Sequence, residues 1–317
     1  MKEVKHCRIC GNSELIEVLD LGVQALTGVF PQSRSQPVTK GPLQLVKCTG
    51  GDACGLLQLR HTCDLGEMYG LNYGYRSGLN KSMVDHLHDK VRAILSRVRL
   101  AEDSLVIDIG SNDSTTLQAY PRTIRNLVGF DPTGVKFSHY YPPHITLIAD
   151  YFSAQRVREA FGSKKASVIT SFSMFYDLEE PLAFMQDVHD SLDEEGIWVF
   201  EQSYMPTMLR QNSYDTVCHE HLEYYALKQV QWMAGRVGLT IVDVEFNDVN
   251  GGSFSVVAAK TGSSQAAHAK SVDRLLDDES RLGLDTLQPY HDFAARARES
   301  RETLLGFIDS AHRSGKV

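Results

Sequence analysis

Short apolar runs alternate with amphipathic segments through the middle of the chain. Residues 80–99 carry apolar side chains at helical spacing, and residues 180–192 repeat that pattern. Continuous apolar strands that alternate with helices predict an α/β fold with a mostly parallel sheet covered on both faces. Because no helix separates the last two strands, we expect one antiparallel strand near an edge. The seven predicted strands are 104–110, 126–131, 145–150, 166–172, 196–202, 239–247 and 253–260.

Acidic residues stand at the ends of the first three predicted strands, and sheets of this kind bind ligands beyond those ends. The first strand runs into residues 108–113, where Gly110 lacks the second glycine that a dinucleotide requires, so NAD and FAD fit poorly. Asp131 can accept hydrogen bonds from both ribose hydroxyls of a nucleoside, and Asp150 can meet an adenine amino group. Aspartates at such positions also cap helices. Taken together, they predict a nucleoside site without a diphosphate, and S-adenosylmethionine (SAM) is such a ligand.

The end of the fourth strand and the overall charge argue against nucleic acid as the methyl acceptor. Residues 171–174 read Ser-Phe-Ser-Met, whereas an exocyclic-amine DNA methyltransferase shows Asp/Asn-Pro-Pro-aromatic there and a cytosine-carbon enzyme shows Pro-Cys. The net charge is −8 over 317 residues, with no long basic run. No apolar run approaches the ~18 residues that span a bilayer. Since the N-terminus also lacks an apolar signal core, we expect a cytoplasmic protein without a membrane partner.

Four of the six cysteines fall within the first 54 residues. A C-x2-C knuckle is followed by a wider C-x5-C pair, and four thiolates arranged this way are typical of a structural zinc site with no open position. Cys63 or His61 could replace one ligand, and four free thiols are the alternative. A segment with so few bulky apolar residues usually needs a metal or disulfide to stabilise it. The predicted zinc ligands are Cys7, Cys10, Cys48 and Cys54.

Residues 213–225, Ser-Tyr-Asp-Thr-Val-Cys-His-Glu-His-Leu-Glu-Tyr-Tyr, concentrate acid–base groups after the fifth strand. His221 is the predicted base, because imidazole titrates near ~6.5. Glu220 could orient the substrate or a histidine, and Tyr224 could donate to an oxyanion. His219 is an equally good candidate for a structural histidine. Removal of a proton from carbon requires an adjacent carbonyl, so that an enolate can carry the charge.

The motifs along the chain resemble those of nucleotide-sugar C-methyltransferases. These SAM-dependent enzymes methylate a carbon beside the ketone of a thymidine-diphosphate-linked deoxysugar. The resemblance covers the full chain, and its His-Glu-His-Leu-x-Tyr-Tyr block is specific. The matching segments are Cys-Arg-Ile-Cys (7–10), C-x5-C-G-L-L-Q (48–58), Y-G-L-N-Y-G-Y-R-S-G (69–78), V-I-D-I-G-S-N-D (106–113), C-H-E-H-L-E-Y-Y (218–225) and N-G-G-S-F (250–254).

The resemblance implies zinc on the four early cysteines, His221 as base and Glu220 beside the sugar. The candidate cofactor-binding residues are Tyr75, Asp108, Gly110, Ser111, Asn112, Asp131, Pro132, Asp150, Tyr151 and Ser171. The candidate substrate-binding residues are Tyr176, Glu201, Asn250 and Ser253. The catalytic candidates are His221, Glu220, Tyr224 and His219.

The chain departs from the family pattern at two positions and at its end. Cys218 stands where the sugar enzymes have a tyrosine, for which Tyr176 or Tyr224 could substitute, and Ser114 stands where the family usually has glycine. The family continues into a further α/β domain, which we expect this chain to lack.

The predicted fold is therefore a class I SAM-methyltransferase (Rossmann-like) α/β sheet with two additions. We expect a zinc-binding domain at 1–65, a methyltransferase domain at 66–262 with a helical lead-in at 66–100, and a helical extension or linker at 263–317. The predicted activity is methyl transfer from SAM to a carbon beside the ketone of a nucleotide-linked sugar. An O-methyltransferase acting on a sugar or small-metabolite hydroxyl and a non-catalytic zinc- and SAM-binding module are the alternatives.

Overall fold

The computed structural model describes residues 1–27, 31, 33–69 and 73–316. Residues 70–72 of the quoted 69–78 motif lie outside these ranges. The N-terminal part is built from short antiparallel strands, with β1 paired to β5 and with β2, β3 and β4 in a second sheet. Its elements are β1 (Lys2–Glu3), β2 (Leu15–Ala25), β3 (Lys40–Cys48), β4 (Leu57–Leu59), β5 (His61–Thr62) and α1 (Leu65–Met68).

The central sheet has seven strands, as predicted, and their order is β12-β13-β10-β9-β6-β7-β8. β13 runs antiparallel to both of its neighbours and lies next to the edge strand, while the other pairs of the sheet are parallel. The strands after β5 are β6 (Leu105–Ile109), β7 (Asn126–Phe130), β8 (Ile145–Ile148), β9 (Ala166–Phe172), β10 (Leu192–Ser203), β11 (Glu223–Tyr224), β12 (Leu239–Asn247) and β13 (Ser253–Lys260).

The helices cover the sheet, and both predicted helices are present. The Asn80 side chain caps the first of them by accepting a hydrogen bond from the Ser82 amide at 3.1 Å. No helix within the described ranges is long and apolar enough to cross a membrane. The helices after α1 are α2 (Lys81–Arg97), α3 (Thr115–Gln118), α4 (Gly134–Phe137), α5 (Ala154–Phe161), α6 (Pro181–Ser191), α7 (Met205–Gln211), α8 (Leu227–Arg236), α9 (Ser264–Ala267), α10 (Asp273–Arg281) and α11 (Gln288–Arg313).

The apolar core crosses the sequence boundaries expected between the domains. Leu45 and Leu57 of the N-terminal sheet belong to one buried cluster with Met208 of α7 and with Tyr290 and Phe293 of α11. The short strand β11 completes this arrangement, because it pairs antiparallel with β4 at the edge of the N-terminal sheet. The N-terminal sheet therefore packs against the same segment that carries the acid–base residues.

Candidate active site

A cavity of about 920 Å³ opens at the carboxyl ends of the central strands. Its walls are formed by the turn after β6, the loop at 73–80 with the start of α2, the segment after β9, the end of β10 and the segment at 215–221. In a sheet with this topology, strand ends are where ligands bind. The cavity therefore brings most of the predicted cofactor residues together with Glu220 and His221 of the acid–base segment.

The turn after β6 is shaped by three residues in the left-handed region, Gly110, Asn112 and Ser114. Gly110 has φ +70°, and a Cβ there would lie 3.1 Å from Met174 Cγ, so the position needs glycine. Asn112 has φ +50°. Its side chain accepts a hydrogen bond from the Ser77 amide at 3.0 Å and donates to the Tyr75 carbonyl at 3.2 Å. Asn112 thereby ties the loop at 75–77 to the end of the sheet.

Asp131 is buried at the end of β7 and organises the cavity rim. Its Oδ2 accepts from the Asn112 amide at 2.7 Å, and its Oδ1 accepts from the Thr133 amide at 2.7 Å. A carboxylate oxygen has more than one acceptor site, so Asp131 can still accept from a ligand. Asp150 also lines the cavity, where it accepts from the Tyr151 amide at 2.8 Å and pairs with Arg156. The fold thus brings both predicted acids to one cavity.

The carboxyl of Asp108 is the most deeply buried acid in this part of the wall. Thr170 donates to its Oδ1 at 2.5 Å. Burial raises the pKa of Asp108 to about 7, although the hydrogen bond from Thr170 opposes the shift. Four further cofactor candidates also line the cavity, namely Tyr75, Ser111, Pro132 and Tyr151.

His221 lies in the cavity wall with a defined tautomer. Its Nδ1 is 3.0 Å from the Thr216 carbonyl, and a carbonyl only accepts, so Nδ1 carries the hydrogen in the neutral ring. Nε2 is then the basic nitrogen. The Tyr176 ring packs on the imidazole with a centroid distance of 4.2 Å, and the Leu222 amide donates to the Tyr176 carbonyl at 2.8 Å. Backbone and ring contacts therefore hold the imidazole from two sides.

Two carboxyl groups share this part of the cavity with His221. Burial raises the pKa of Glu220, and the nearby His221 opposes that shift. Burial also raises the pKa of Asp177 well above its ordinary value, again with His221 acting in the opposite direction. Sequence reasoning does not single out Asp177, although its place shortly after β9 could have indicated it.

Glu201, at the end of β10, is the charged centre of the opposite wall. Its oxygens contact His86 Nε2 at 2.6 Å, Lys90 Nζ at 2.9 Å and Asn247 Nδ2 at 2.8 Å. Burial favours a higher pKa for Glu201, but the hydrogen bond from His86 and the charge of Lys90 outweigh it and leave the pKa lowered. Sequence reasoning does not single out His86, because a histidine on an amphipathic helix is common. Asn250 lines the same cavity, 3.4 Å from Ser173 Oγ.

Two predicted catalytic residues are not part of the cavity lining. His219 is 2% exposed, and its Nε2 lies 3.3 Å from the Gly41 carbonyl. Tyr224 is buried behind His221, where its hydroxyl donates to the Thr216 carbonyl at 3.4 Å. Neither side chain lines the cavity, because strand β11 and its approach turn them into the N-terminal sheet. Direct catalytic contacts by these two residues are therefore not supported.

Two predicted binding residues are also engaged inside the protein. Ser171 is fully buried, and its hydroxyl accepts a hydrogen bond from Trp198 Nε1 at 3.0 Å. The Ser253 hydroxyl donates to the Val249 carbonyl at 2.8 Å. Both residues lie outside the cavity lining. In each case an intramolecular partner occupies the hydroxyl, so direct ligand contact is not supported.

The four predicted zinc ligands converge at the far side of the acid–base segment. Their Sγ atoms all lie within 4.8 Å of one another, with Cys7–Cys54 at 3.4 Å and Cys10–Cys48 at 3.5 Å. Zinc–sulfur bonds of about 2.3 Å in a tetrahedron separate the sulfurs by about 3.8 Å, so the donors fit zinc. Among the described residues, neither Cys63 nor His61 joins this group.

Comparison with family models identifies the central part of the chain. Residues 83–244, half of the chain, match the family model described as "Methyltransferase domain". The chain belongs to this methyltransferase family. Residues 7–69 match a model described as "Putative zinc binding domain", and residues 248–317 match one described as "C-methyltransferase C-terminal domain". Together the three matches support a C-methyltransferase family.

One curated relative and several solved structures are similar to this chain. C-methyltransferase NovU from Streptomyces niveus is 25% identical over 321 residues, which cover 100% of this chain and 75% of NovU. A chain from the complex of the Haloferax volcanii Trm112 activator with a methyltransferase is 14% identical with a TM-score of 0.47, over 58% of this chain and 94% of that one. Magnesium protoporphyrin IX methyltransferase from Synechocystis, solved with SAH, is 14% identical with a TM-score of 0.43, over 60% of this chain and 91% of that one.

The comparisons bear on three expectations. The protein is a SAM-dependent methyltransferase, so the non-catalytic module is set aside. Its cofactor is SAM, and the cluster of four cysteines lies within a matched zinc-binding region. The expectation that the family's C-terminal domain is missing is not confirmed, because residues 248–317 match a model of that name.

Proposed function

We propose that the protein methylates the carbon beside the ketone of a small acceptor, a nucleotide-linked keto sugar, and that His221 is the base. The observation that carries the proposal is the fixed tautomer of His221, whose Nε2 is left basic in the cavity that also contains Gly110, Asp131 and Asp150. The relative named C-methyltransferase NovU and the C-methyltransferase C-terminal match support carbon as the acceptor atom.

In this proposal His221 Nε2 takes the proton from the carbon beside the carbonyl, and the electron pair moves into the enolate. Bound SAM supplies an electrophilic methyl group, so the enolate carbon forms the new C–C bond while the C–S bond breaks and S-adenosylhomocysteine leaves. Thr216 keeps the imidazole oriented and stabilises the imidazolium through its carbonyl. Holding both reactants in attack geometry supplies much of the acceleration.

Tyr176 is the proposed donor to the enolate oxygen. Burial raises the pKa of its hydroxyl well above the ordinary value, so the hydroxyl stays protonated. Its ring contacts His221, and it lines the cavity. Tyr176 can thus replace the tyrosine that stands at the position of Cys218 in the family it resembles. A preorganised donor of this type is worth about 10²–10³-fold in rate.

The charges of the cavity bear on how the acceptor enters. Among the described lining residues Arg76 is the one Lys or Arg side chain, and it lies 3.5 Å from Asp113 and 4.2 Å from the ring centroid of Tyr140. Many of the other charged lining groups are carboxyls. A diphosphate is therefore poorly matched to these walls, and the proposal places only the sugar in the cavity beside His221.

O-methylation of a sugar or small-metabolite hydroxyl is the second candidate. The observation in its favour is Cys218, which replaces a tyrosine of the C-methyltransferases that the chain resembles. His221 can deprotonate a hydroxyl as well as a carbon. Methylation of an acceptor whose ketone has been reduced to an alcohol supports this candidate and contradicts carbon transfer.

The test uses His221→Asn, because asparagine keeps a donor for the Thr216 carbonyl and removes the base. The assay incubates enzyme with a panel of nucleotide-linked keto sugars in D2O and follows deuterium at the carbon beside the ketone and methyl transfer by mass spectrometry. We expect the variant to lose both by about 10²–10⁴-fold while SAM affinity stays within about twofold. The exposed His291→Asn is the matched control. Normal methylation by His221→Asn contradicts the assignment.

A further inference from the structure

Arg8 lies inside the zinc knuckle, between Cys7 and Cys10, yet its side chain is only 3% exposed. The guanidinium donates from Nη1 to the Leu59 carbonyl at 2.7 Å and from Nη2 to Thr62 Oγ1 at 2.9 Å. These bonds leave Nε facing the acid–base segment. Because these two bonds fix the guanidinium, its Nε can bind an acidic group that lies opposite it.

The group opposite Nε is Glu223, whose Oε1 is 3.5 Å away and whose side chain is 0% exposed. Neither oxygen of Glu223 has a hydrogen-bond partner among the described residues. Arg8 is thus the cation that faces a fully buried carboxyl group. Burial raises the pKa of Glu223 well above its ordinary value, and the charge of Arg8 opposes that shift. A charged carboxylate at this place is unstable without such a cation. Glu223 comes two residues after His221 in the chain.

The backbone reinforces this contact. Glu223 pairs with Gln58 in the β11–β4 ladder, and the Leu59 amide donates to the Leu222 carbonyl at 2.9 Å. The Gln58 side chain in turn accepts from the Arg8 amide at 2.9 Å. One short set of bonds therefore runs from the zinc knuckle through β4 to the residues beside the base.

We propose that Arg8 and Glu223 are positioning residues that fix the place of His221, so that the zinc knuckle sets the geometry of methyl transfer. This inference rests on the proposed function of His221 as base. Without Arg8 the Glu223 carboxylate moves towards water, β11 separates from β4, and His221 shifts with it. The SAM side of the cavity is built by other elements and keeps its shape.

The experiment compares Arg8→Met with Arg60→Met in the full, zinc-loaded chain. Arg60 directly follows β4 in the same N-terminal part of the chain, but its side chain is 24% exposed and lies 3.7 Å from Glu3 and 4.0 Å from Glu17, away from the acid–base segment. Amide hydrogen exchange of residues 219–225, SAM affinity by calorimetry, kcat, and the NMR titration of His221 are measured for both.

For Arg8→Met we expect exchange in residues 219–225 to rise at least roughly tenfold. We expect kcat to fall roughly 10²-fold, since a displacement of about 1 Å has that effect. The His221 titration should shift, and SAM affinity should stay within about twofold. Arg60→Met should match the wild type in all four. Equal exchange, kcat and His221 titration in the two variants overturn the inference.

If Arg8→Met does not fold, Glu223→Gln serves instead, because glutamine keeps the strand pairing and the size of the side chain but cannot carry the charge that Arg8 faces. Glu223→Gln should change exchange and kcat in the same direction as Arg8→Met, but by less. Exchange and kcat equal to those of the wild type overturn the inference. Exchange, SAM affinity and the His221 titration need no acceptor. Failure of the proposed function appears as a wild type that places no deuterium in the acceptor, whereas failure of this inference appears as unchanged exchange at residues 219–225.

Discussion

Glu201→Gln tests whether the charged centre of the cavity wall stabilises the fold. The substitution keeps the size of the side chain but removes a charge that faces His86, Lys90 and Asn247. Glu201 is 3% exposed and Lys90 is 11% exposed, so the pair is buried. Loss of one partner leaves the ammonium of Lys90 without its buried counter-ion.

The size of the effect follows from the surroundings of Lys90. Breaking a buried ion pair costs about 3–5 kcal/mol. Lys90 keeps a second partner, Glu245, at 3.5 Å, and that side chain is 51% exposed. We therefore expect about 3 kcal/mol for Glu201→Gln, the low end of that range. The matched variant Glu245→Gln removes the exposed partner of the same lysine, and we expect about 0–1 kcal/mol.

The assay is urea unfolding of the zinc-loaded chain, followed through the fluorescence of the buried Trp198, three residues from Glu201. The pKa of Glu201 is lowered in the folded chain, so its contribution is fully present above the unfolded value of about 4.3 and is lost as the pH falls through the folded value. The difference from wild type should thus be full at pH 7 and shrink below about pH 4. Equal losses for Glu201→Gln and Glu245→Gln at pH 7 refute the reasoning.

Three further predictions concern the metal, the turn after β6 and a buried acid. Elemental analysis should find one zinc per chain, lost in Cys54→Ser and retained in Cys63→Ser, because only the former belongs to the cluster; equal zinc in both contradicts the site. Gly110→Ala should weaken SAM binding in calorimetry by about tenfold or more, because residue 110 has a φ of +70° and a Cβ there would press on Met174. Gly235→Ala in α8 is the control, since a Cβ at residue 235 meets open space, and it should leave SAM binding unchanged. Because the pKa of Asp108 is raised to about 7, the folded state binds more protons than the unfolded state between about pH 4 and 7, so wild-type stability falls there as pH rises. Asp108→Asn should flatten that slope in urea titrations, and an unchanged slope contradicts the assignment.

Much of the central fold is predictable because buried parallel strands are apolar along their whole length. The largest difference from the predicted strand bounds is the start of β10, predicted at residue 196 and found at Leu192. Three acidic residues at 193–195 interrupt the apolar run and conceal the first pairing, in which Leu192 faces Ala166. Charged side chains near the start of a strand leave no apolar pattern from which its first residue can be predicted.

The site is predictable where the sheet topology alone places residues. It is not predictable where one side chain forms a hydrogen bond with another that is distant in the sequence. The strand-end positions of Asp131 and Asp150 follow from the sheet. The sequence does not show that Trp198 occupies the hydroxyl of Ser171, or that His86 reaches Glu201 across 115 residues. Such contacts depend on packing between elements, which the sequence does not show. A two-residue strand such as β11 is too short to have a hydrophobic periodicity from which it could be predicted.

The pairing of β4 with β11 has a consequence for synthesis of the chain. β4 ends at Leu59, but its neighbour Glu223–Tyr224 leaves the ribosome more than 160 residues later. During that interval β4 presents an open edge, the kind of surface through which nascent chains aggregate. The apolar face of the same sheet is also uncovered until Tyr290 and Phe293 have been synthesised. The four clustered cysteines all lie within residues 7–54, so the zinc site is complete on the chain long before these partners are made.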